Sequence, residues 1–214
     1  MTRPTTRFVT WTGAEDDPAR LESATLSLAD SRLTARGTSR ASSYAVAWSL
    51  TTGDAWVTRR LDLSVHGDGW SRTLALVRDD AGWTGTGAAH GSGGPQSPPG
   101  LADPDSVAEA LDCDIALCPV TNTMPVLRHG LVSNGPGPEI PHVMAWVDVP
   151  SLTVIRSDQI YRALTPYDDA DGHAVVRYAS ASRDFVGDLT VDVDGIVVDY
   201  PELAYRASVT SAVR

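Results

Sequence analysis

An alternation of apolar and polar residues with a period of two constrains this sequence more than any other feature. Leu61 and Leu63 alternate with polar residues, and the stretch from Leu189 to Val193 repeats the pattern. A strand with one buried face produces this alternation, because successive side chains point to opposite faces of a sheet. Such strands recur from Phe8 to about Tyr205, separated by turn signals. The sequence therefore predicts a mainly β fold, a long antiparallel meander in a single domain over residues 1–214.

Helix signals are few. Two turns are predicted from Pro104 to Leu111, with Asp103 as the N-cap. A second helix is predicted from Thr123 to His129, because Thr123 is a good cap residue, Pro125 lies just inside and Gly130 follows the last residue.

A segment rich in glycine, proline and serine runs from Ala88 to Gly100. Its composition predicts a flexible surface insertion at about residues 88–104, with no core of its own. The run from Gly82 to Gly87 precedes it and contains three glycines. No helix pattern follows that run, so we interpret these residues as strand and turn glycines rather than as a nucleotide-binding loop.

The charged residues exclude several classes of function. The chain has 27 acidic and 17 basic residues, a formal net charge of −10, and none of its basic residues is lysine. P-loop and Schiff-base chemistry both require lysine. A surface that binds nucleic acid or anionic lipid requires a basic patch, so this net charge predicts that the protein binds neither.

No apolar run approaches the roughly 18 residues of a membrane span. No signal-peptide pattern opens the chain, so we expect a cytoplasmic protein without stable membrane insertion.

Few residues have the spacing of a catalytic or metal site. Cys113 and Cys118 are interpreted as small core residues. The five histidines form no ligand motif, and we expect neither a metal nor a cofactor. Asp112 and Asp114 would point to the same side of a strand, where repulsion between their charges would raise one pKa for acid–base work. The alternative is a solvated strand face.

Arg59 lies two and four residues before Leu61 and Leu63, so the alternation places it on the same face of the strand as these apolar residues. If that face is the core, its guanidinium needs a carboxylate or a ligand anion as a partner. The alternative is an arginine at a strand end that reaches water. Six tryptophans and six tyrosines are spread over the predicted strands, where they fill a core or line a sheet suited to an amphipathic ligand.

Four segments, in the same order, resemble a known family of bacterial proteins. They are Trp56-Val57-Thr58-Arg59-Arg60 for the family's W-x-T-R, the stretch from Asp112 to Val126 for D-x-D-L-x-x-T-P-F-T-N-T-L-P-I, Gln159-Ile160-Tyr161 for Q-x-Y, and the stretch from Gly195 to Pro201 for G-L-V-x-D-Y-P. The family is titled "putative glycolipid-binding", and the resemblance runs from about Tyr44 to Arg206. Cys118 and Val120 depart from it, because threonine and phenylalanine are usual there.

The resemblance implies a spiral β-roll, a long antiparallel sheet wrapped around one short central helix, and a homodimer. The helix at Thr123 to His129 would be the one inside the roll. The implied function is non-catalytic binding of a lipid or glycolipid, with the apolar tail inside the roll and the head at one mouth. The candidate ligand-binding residues are Trp56, Arg59, Asn122, Thr123, Arg128, Gln159, Tyr161, Tyr178 and Tyr200.

Three alternatives remain open from the sequence. The same residues could form a buried polar network that holds the helix in the roll. The protein could instead be an enzyme acting on a small amphipathic substrate, with Asp112, Asp114 or His129 as the acid or base. It could also be an interaction module whose core is filled by its own side chains.

Overall fold

The computed structural model describes residues 4–14, 17–181 and 184–207, and the remaining residues of the predicted 1–214 domain lie outside it. The described strands are β1 (Thr5–Gly13), β2 (Leu21–Ala29), β3 (Arg32–Arg40), β4 (Tyr44–Thr52), β5 (Thr58–Gly67), β6 (Trp70–Asp79), β7 (Gly82–Gly91), β8 (Gly100–Leu101), β9 (Asp112–Ile115), β10 (Ile140–Val147), β11 (Thr153–Asp168), β12 (His173–Ser180), β13 (Phe185–Val191), β14 (Val197–Tyr200) and β15 (Ala204–Arg206). The α-helix, α1, spans Thr123–Arg128.

The strands form two meanders that join edge to edge. Among the described residues, the sheet has fifteen strands, in the order β7 to β1, then β15 down to β9, with β8 beside β11. The junction is the antiparallel pair of β1 and β15, in which Trp11 lies opposite Arg206. Parallel pairing joins β9 to β10 and β8 to β11. The predicted antiparallel meander is confirmed, and its sheet stays open between β7 and β9.

The sheet rolls up so that its β9 end lies inside. All four residues of β9 are buried, so this strand is covered on both faces. Its N-terminal end is joined to β5, because the backbone N–H of Cys113 donates to Thr58 Oγ1 at 3.1 Å. The N–H of Thr58 in turn donates to the carbonyl of Leu111 at 3.1 Å. These bonds bring the two halves of the sheet together.

Helix α1 is buried inside this roll. A 3₁₀ turn, Pro119–Asn122, leads directly into it, and the residues from Thr123 to Val126 are buried. Thr123 has helical dihedral angles, so it is the first residue of the helix and not its cap. The helix ends in a Schellman motif, in which Gly130, at φ +62°, donates its N–H to Leu127 O. The predicted short central helix is confirmed.

The helix predicted from Pro104 to Leu111 is reduced to a single 3₁₀ turn, Asp105–Val107. The prediction was wrong beyond this turn, because the N–H groups of Ala108 and Ala110 donate to carbonyls three residues back, Asp105 O and Val107 O, which is the pattern of a short 3₁₀ turn rather than of an α-helix. The carbonyl of Ala110 then accepts from side chains of the sheet. Arg78 Nε and Trp83 Nε1 donate to Ala110 O at 2.9 and 2.8 Å. Asp103 still accepts a hydrogen bond at the start of the turn, from the N–H of Asp105 at 3.2 Å.

The start of the segment expected to be an insertion belongs to the sheet, because β7 extends to Gly91. The following residues pass over Arg72, whose guanidinium donates to the carbonyls of Pro95, Ser97 and Ser151. A Cβ atom added at Gly87 would lie 2.5 Å from the carbonyl oxygen of Pro99. Glycine is therefore required there by a close approach of the backbone.

Candidate functional site

A pocket of about 570 Å³ opens where α1 ends beside β10 and β11. It forms because β9 pairs only with Met144–Val147, so β10 begins four residues before the ladder with β9. The polar side chains that line the pocket are Glu109, Arg128, His129, His142, Arg156, Asp158 and Gln159. Its apolar walls are Leu111, Pro141, Val143, Ile160 and Ala181. The site therefore combines polar and apolar surface.

Arg128, in the last turn of α1, is held by a buried carboxylate. Its two terminal nitrogens donate to the two carboxylate oxygens of Asp112, both at 2.5 Å. Its Nε donates to the carbonyl of Ala55 at 2.8 Å. Asp112 is fully buried, and burial raises its pKa while the hydrogen bonds from Arg128 lower it. The pair fixes the end of the helix and leaves one edge of the guanidinium at the pocket wall.

Behind this wall, Asp114 is the centre of a second buried network. Thr121 Oγ1 and Gln159 Nε2 each donate to its carboxylate at 2.7 Å. The Tyr161 hydroxyl donates to Asn122 Oδ1 at 2.8 Å. These bonds connect β9, the 3₁₀ turn before α1 and β11, so they fix the helix against the sheet. The alternative interpretation of Asp112 and Asp114 as part of a solvated strand face is wrong, because both aspartates are buried.

Aromatic rings extend from the pocket into the core. The rings of His129 and His142 meet edge to face, with centroids 4.8 Å apart. Tyr161 lies 5.5 Å beyond His142, Tyr178 lies 5.2 Å beyond Tyr161, and Tyr200 lies 5.8 Å beyond Tyr178. Burial lowers the pKa of His129 and lowers that of His142 to about 4. Both imidazoles are therefore neutral at pH 7.

Arg156 forms the other charged wall of the pocket. Its Nη2 lies 2.7 Å from Asp158 Oδ1, and its Nη1 lies 3.0 Å from Glu109 Oε1. Each arginine that lines the pocket is thus paired with at least one carboxylate.

The structure brings together only some of the residues predicted to bind a ligand. Arg128 and Gln159 line the pocket, while Asn122, Thr123, Tyr161, Tyr178 and Tyr200 are buried behind it. Trp56 packs against the core next to Ala55, the residue that holds Arg128.

Arg59 is exposed, so the interpretation that places it on the core face is wrong. The register shifts at the start of β5: Thr51 pairs with Arg60, but Thr52 pairs with Thr58. Arg59 is the extra residue of this irregularity, and Thr58 takes the inward position.

His142 and Arg156 were not identified as site residues from the sequence. His142 and His129 are thirteen residues apart and meet only because the end of α1 packs on β10. No spacing rule indicates such a contact. Within the described ranges, no group of three or more histidine, cysteine, aspartate or glutamate residues is placed to hold a metal ion. No helix in the described part of the chain is long and apolar enough to span a membrane.

Comparison with known proteins adds two findings. The model of a family described as "putative glycolipid-binding" matches residues 8–206. The chain is also similar to the crystal structure of a DUF1089 family protein from Pseudomonas aeruginosa. The two share 25% sequence identity with a TM-score of 0.62, over 87% of this chain and 92% of the other. No curated protein sequence gives a significant match.

Proposed function

The chain belongs to the family described as "putative glycolipid-binding", and on this premise we propose that it binds a lipid or glycolipid without catalysing a reaction. The observation that carries the proposal is the pocket beside Arg128, which places fixed polar groups next to an apolar wall. Its volume of about 570 Å³ lies within the range of small-molecule sites, roughly 300–1,000 Å³.

Each end of an amphiphile has a suitable surface in this pocket. The head group would contact Arg128 and Gln159, which are held in place by Asp112 and Asp114, and the rings of the two histidines. The first part of the tail would lie on Leu111, Val143 and Ile160. Burying about five methylenes there would contribute roughly 4 kcal/mol before the costs of ordering the ligand.

The proposed position of the tail differs from the one implied by the resemblance. Buried side chains of α1, with Met124 and Val126 among them, occupy the middle of the roll. The rings of Tyr161, Tyr178 and Tyr200 pack beside them. We therefore place the tail in the pocket rather than inside the roll, and we assign these tyrosines, with Trp56, Asn122 and Thr123, to support of the helix.

The enzyme alternative has less support. Both of its candidate carboxylates are already bound, Asp112 by Arg128 and Asp114 by Thr121 and Gln159. The residues that line the pocket include no serine, threonine or cysteine that could act as a nucleophile. The homodimer and the cytoplasmic location stay predictions.

The proposal is tested by native mass spectrometry of protein purified without detergent, together with mass spectrometry of its organic extract. We expect a lipid bound at about one molecule per chain. The variant Val143→Trp, which fills the apolar side of the pocket, should lose this lipid. The control is Val193→Trp, the same change at an exposed residue outside the pocket, and it should keep the lipid. Equal lipid content in the two variants, or an empty wild-type protein that ignores added lipids, would contradict the proposal.

A further inference from the structure

A second pocket, of about 330 Å³, lies at the end of the β6–β7 hairpin where Trp70 pairs with Gly91. It shares no lining residue with the pocket beside Arg128. The glycine-rich segment that follows β7 forms one wall, and Arg72 lies in the other. Among the described residues, no aspartate or glutamate lines this pocket, although the formal net charge of the chain is −10. The pocket is therefore a local region without negative charge.

Arg72 contributes a buried positive charge to this pocket. The residue is 5% exposed, and its guanidinium donates to the carbonyls of Pro95, Ser97 and Ser151. Carbonyl groups accept hydrogen bonds but carry no net charge, and no carboxylate of the described residues forms an ion pair with this guanidinium. Buried charges in proteins are normally paired with an opposite charge. Arg72 therefore lacks the counter-charge that Asp112 provides for Arg128.

Several N–H donors at the pocket have no acceptor in the described part of the chain. An arginine side chain has five N–H bonds, and the hydrogen bonds of Arg72 use its Nη1 and Nη2 but not its Nε. This Nε has accessible surface, in contrast to the buried, unpartnered Nε of Arg20 and Arg162. The backbone N–H groups of Gly93 and Gly94 likewise have no described acceptor. Gly93 has φ +85°, and successive N–H groups around such a turn can form a concave anion site.

Close backbone approaches fix the loop that carries these N–H groups. The N–H of Ser92 donates to the carbonyl of Gly69 at 3.0 Å. A Cβ atom added at Gly91 would lie 2.0 Å from that same carbonyl oxygen. Gly94 packs on the ring of Trp70, where an added Cβ atom would lie 2.9 Å from Cδ2. The donors are therefore in position before a ligand binds, which lowers the entropic cost of binding.

The number of donors favours a phosphate group over a carboxylate. The side chains of His90, Ser92 and Gln96 also line the pocket and can donate further hydrogen bonds. A carboxylate has two oxygens, whereas a phosphate group has at least three that accept hydrogen bonds. Hydrogen bonds from arginine to phosphate are charge-assisted and stronger than those between neutral groups.

We propose that this pocket is a second binding site, which takes a phosphate group with Arg72 as its counter-charge. The phosphate is either free or esterified to a small molecule, and both forms present the same oxyanion to the site. The inference goes beyond the proposed lipid binding and does not depend on it, because the two pockets are separate.

The test measures binding of inorganic phosphate, glycerol 3-phosphate, acetate and glycerol by isothermal titration calorimetry. The measurements use a phosphate-free buffer at pH 7.5 and constant ionic strength. We expect the two phosphates to bind at one site per chain, at least tenfold more tightly than acetate, and glycerol not to bind. Tighter binding of glycerol 3-phosphate than of inorganic phosphate supports an ester as the ligand, and equal affinity supports free phosphate. Backbone amide NMR signals of Gly93 and Gly94 should shift as phosphate is added.

A charge placed in the pocket provides the variant. Ser92→Asp adds a carboxylate at an exposed residue of the loop, and phosphate affinity should fall at least tenfold. The matched control is Ser42→Asp, the same change at an exposed residue between β3 and β4, and it should leave the affinity unchanged. Arg72→Gln should abolish binding, but it also removes hydrogen bonds to the loop, so Ser92→Asp is the test that does not depend on folding of the loop.

Three results would overturn the inference. They are a wild-type protein that binds neither phosphate, acetate that binds as tightly as phosphate, and equal phosphate affinity in Ser92→Asp and Ser42→Asp. Each of them would leave the proposed lipid binding unaffected, because the lipid that copurifies with the protein is measured separately.

Discussion

Replacing Glu22 with glutamine should remove a large part of the pH dependence of stability. Glu22, on β2, is buried at 1% exposure, and its Oε1 has no hydrogen-bond partner among the described residues. Burial raises its pKa from 4.5 to about 7, against smaller opposing effects of a hydrogen bond from Cys118 and of the charge on Arg20. The Arg20 guanidinium lies 3.9 Å from Glu22 Oε2, too far for a hydrogen bond.

The size of the effect follows from this shift. Between pH 4.5 and pH 7 the folded state binds a proton at Glu22 that the unfolded state has released, so stability falls as pH rises. One pKa unit corresponds to about 1.4 kcal/mol, and the shift of about 2.5 units therefore corresponds to about 3 kcal/mol. This contribution is fully present below pH 4.5 and is lost as pH rises through about 7.

The assay is urea unfolding of the wild type and Glu22→Gln at several pH values from 4 to 8, at constant ionic strength. Groups that titrate in both proteins cancel in the difference between their free energies of unfolding. This difference should shift by about 3 kcal/mol in favour of the variant between pH 4 and pH 8. The control is Glu202→Gln, which removes the same charge from an exposed turn residue, and it should show a much smaller change between pH 4 and pH 8. Parallel curves for Glu22→Gln would refute the reasoning.

Urea unfolding of three further variants tests the contacts that support the site. Arg128→Ala should cost about 3–5 kcal/mol at pH 7, because it leaves the buried carboxylate of Asp112 unpaired; a loss below 1 kcal/mol would contradict the role of this pair. Tyr161→Phe should cost about 1–3 kcal/mol by removing the donor to Asn122, and full stability would show that this bond contributes nothing. Gly195→Ala should destabilise by more than 1 kcal/mol, because φ is +72° and the new Cβ atom would press on α1; an unchanged midpoint would refute this.

Sequence periodicity predicted most of the strands, because each has one buried face and period two reports burial directly. The helix from Thr123 was predictable for a similar reason, since Gly130 provides a local stop signal. The edge-to-edge junction of β1 with β15 has no local signal, because it joins residues almost 200 positions apart. The same applies to the burial of β9 on both faces, which follows from the rolling of the whole sheet.

The candidate site was less predictable than the fold. The alternation predicted the wrong face for Arg59, because one register shift at the start of β5 changes the face that a residue occupies. The motif residues Gln159 and Tyr161 were identified, but the sequence did not separate a ligand contact from a buried network. The structure places Gln159 in both and Tyr161 only in the network. The pairing of His129 with His142 depends on packing between a helix and a strand, which no spacing indicates.

The central claim is that the pocket beside Arg128 binds an amphiphile. It is tested most directly by following backbone amide NMR signals of the ¹⁵N-labelled protein while octyl glucoside is added below its micelle concentration. The account predicts saturable shifts centred on Arg128, His129, His142 and Ile160, which all line the pocket. Shifts confined to another part of the sheet, or no shifts for this probe or for octanoate, would contradict it.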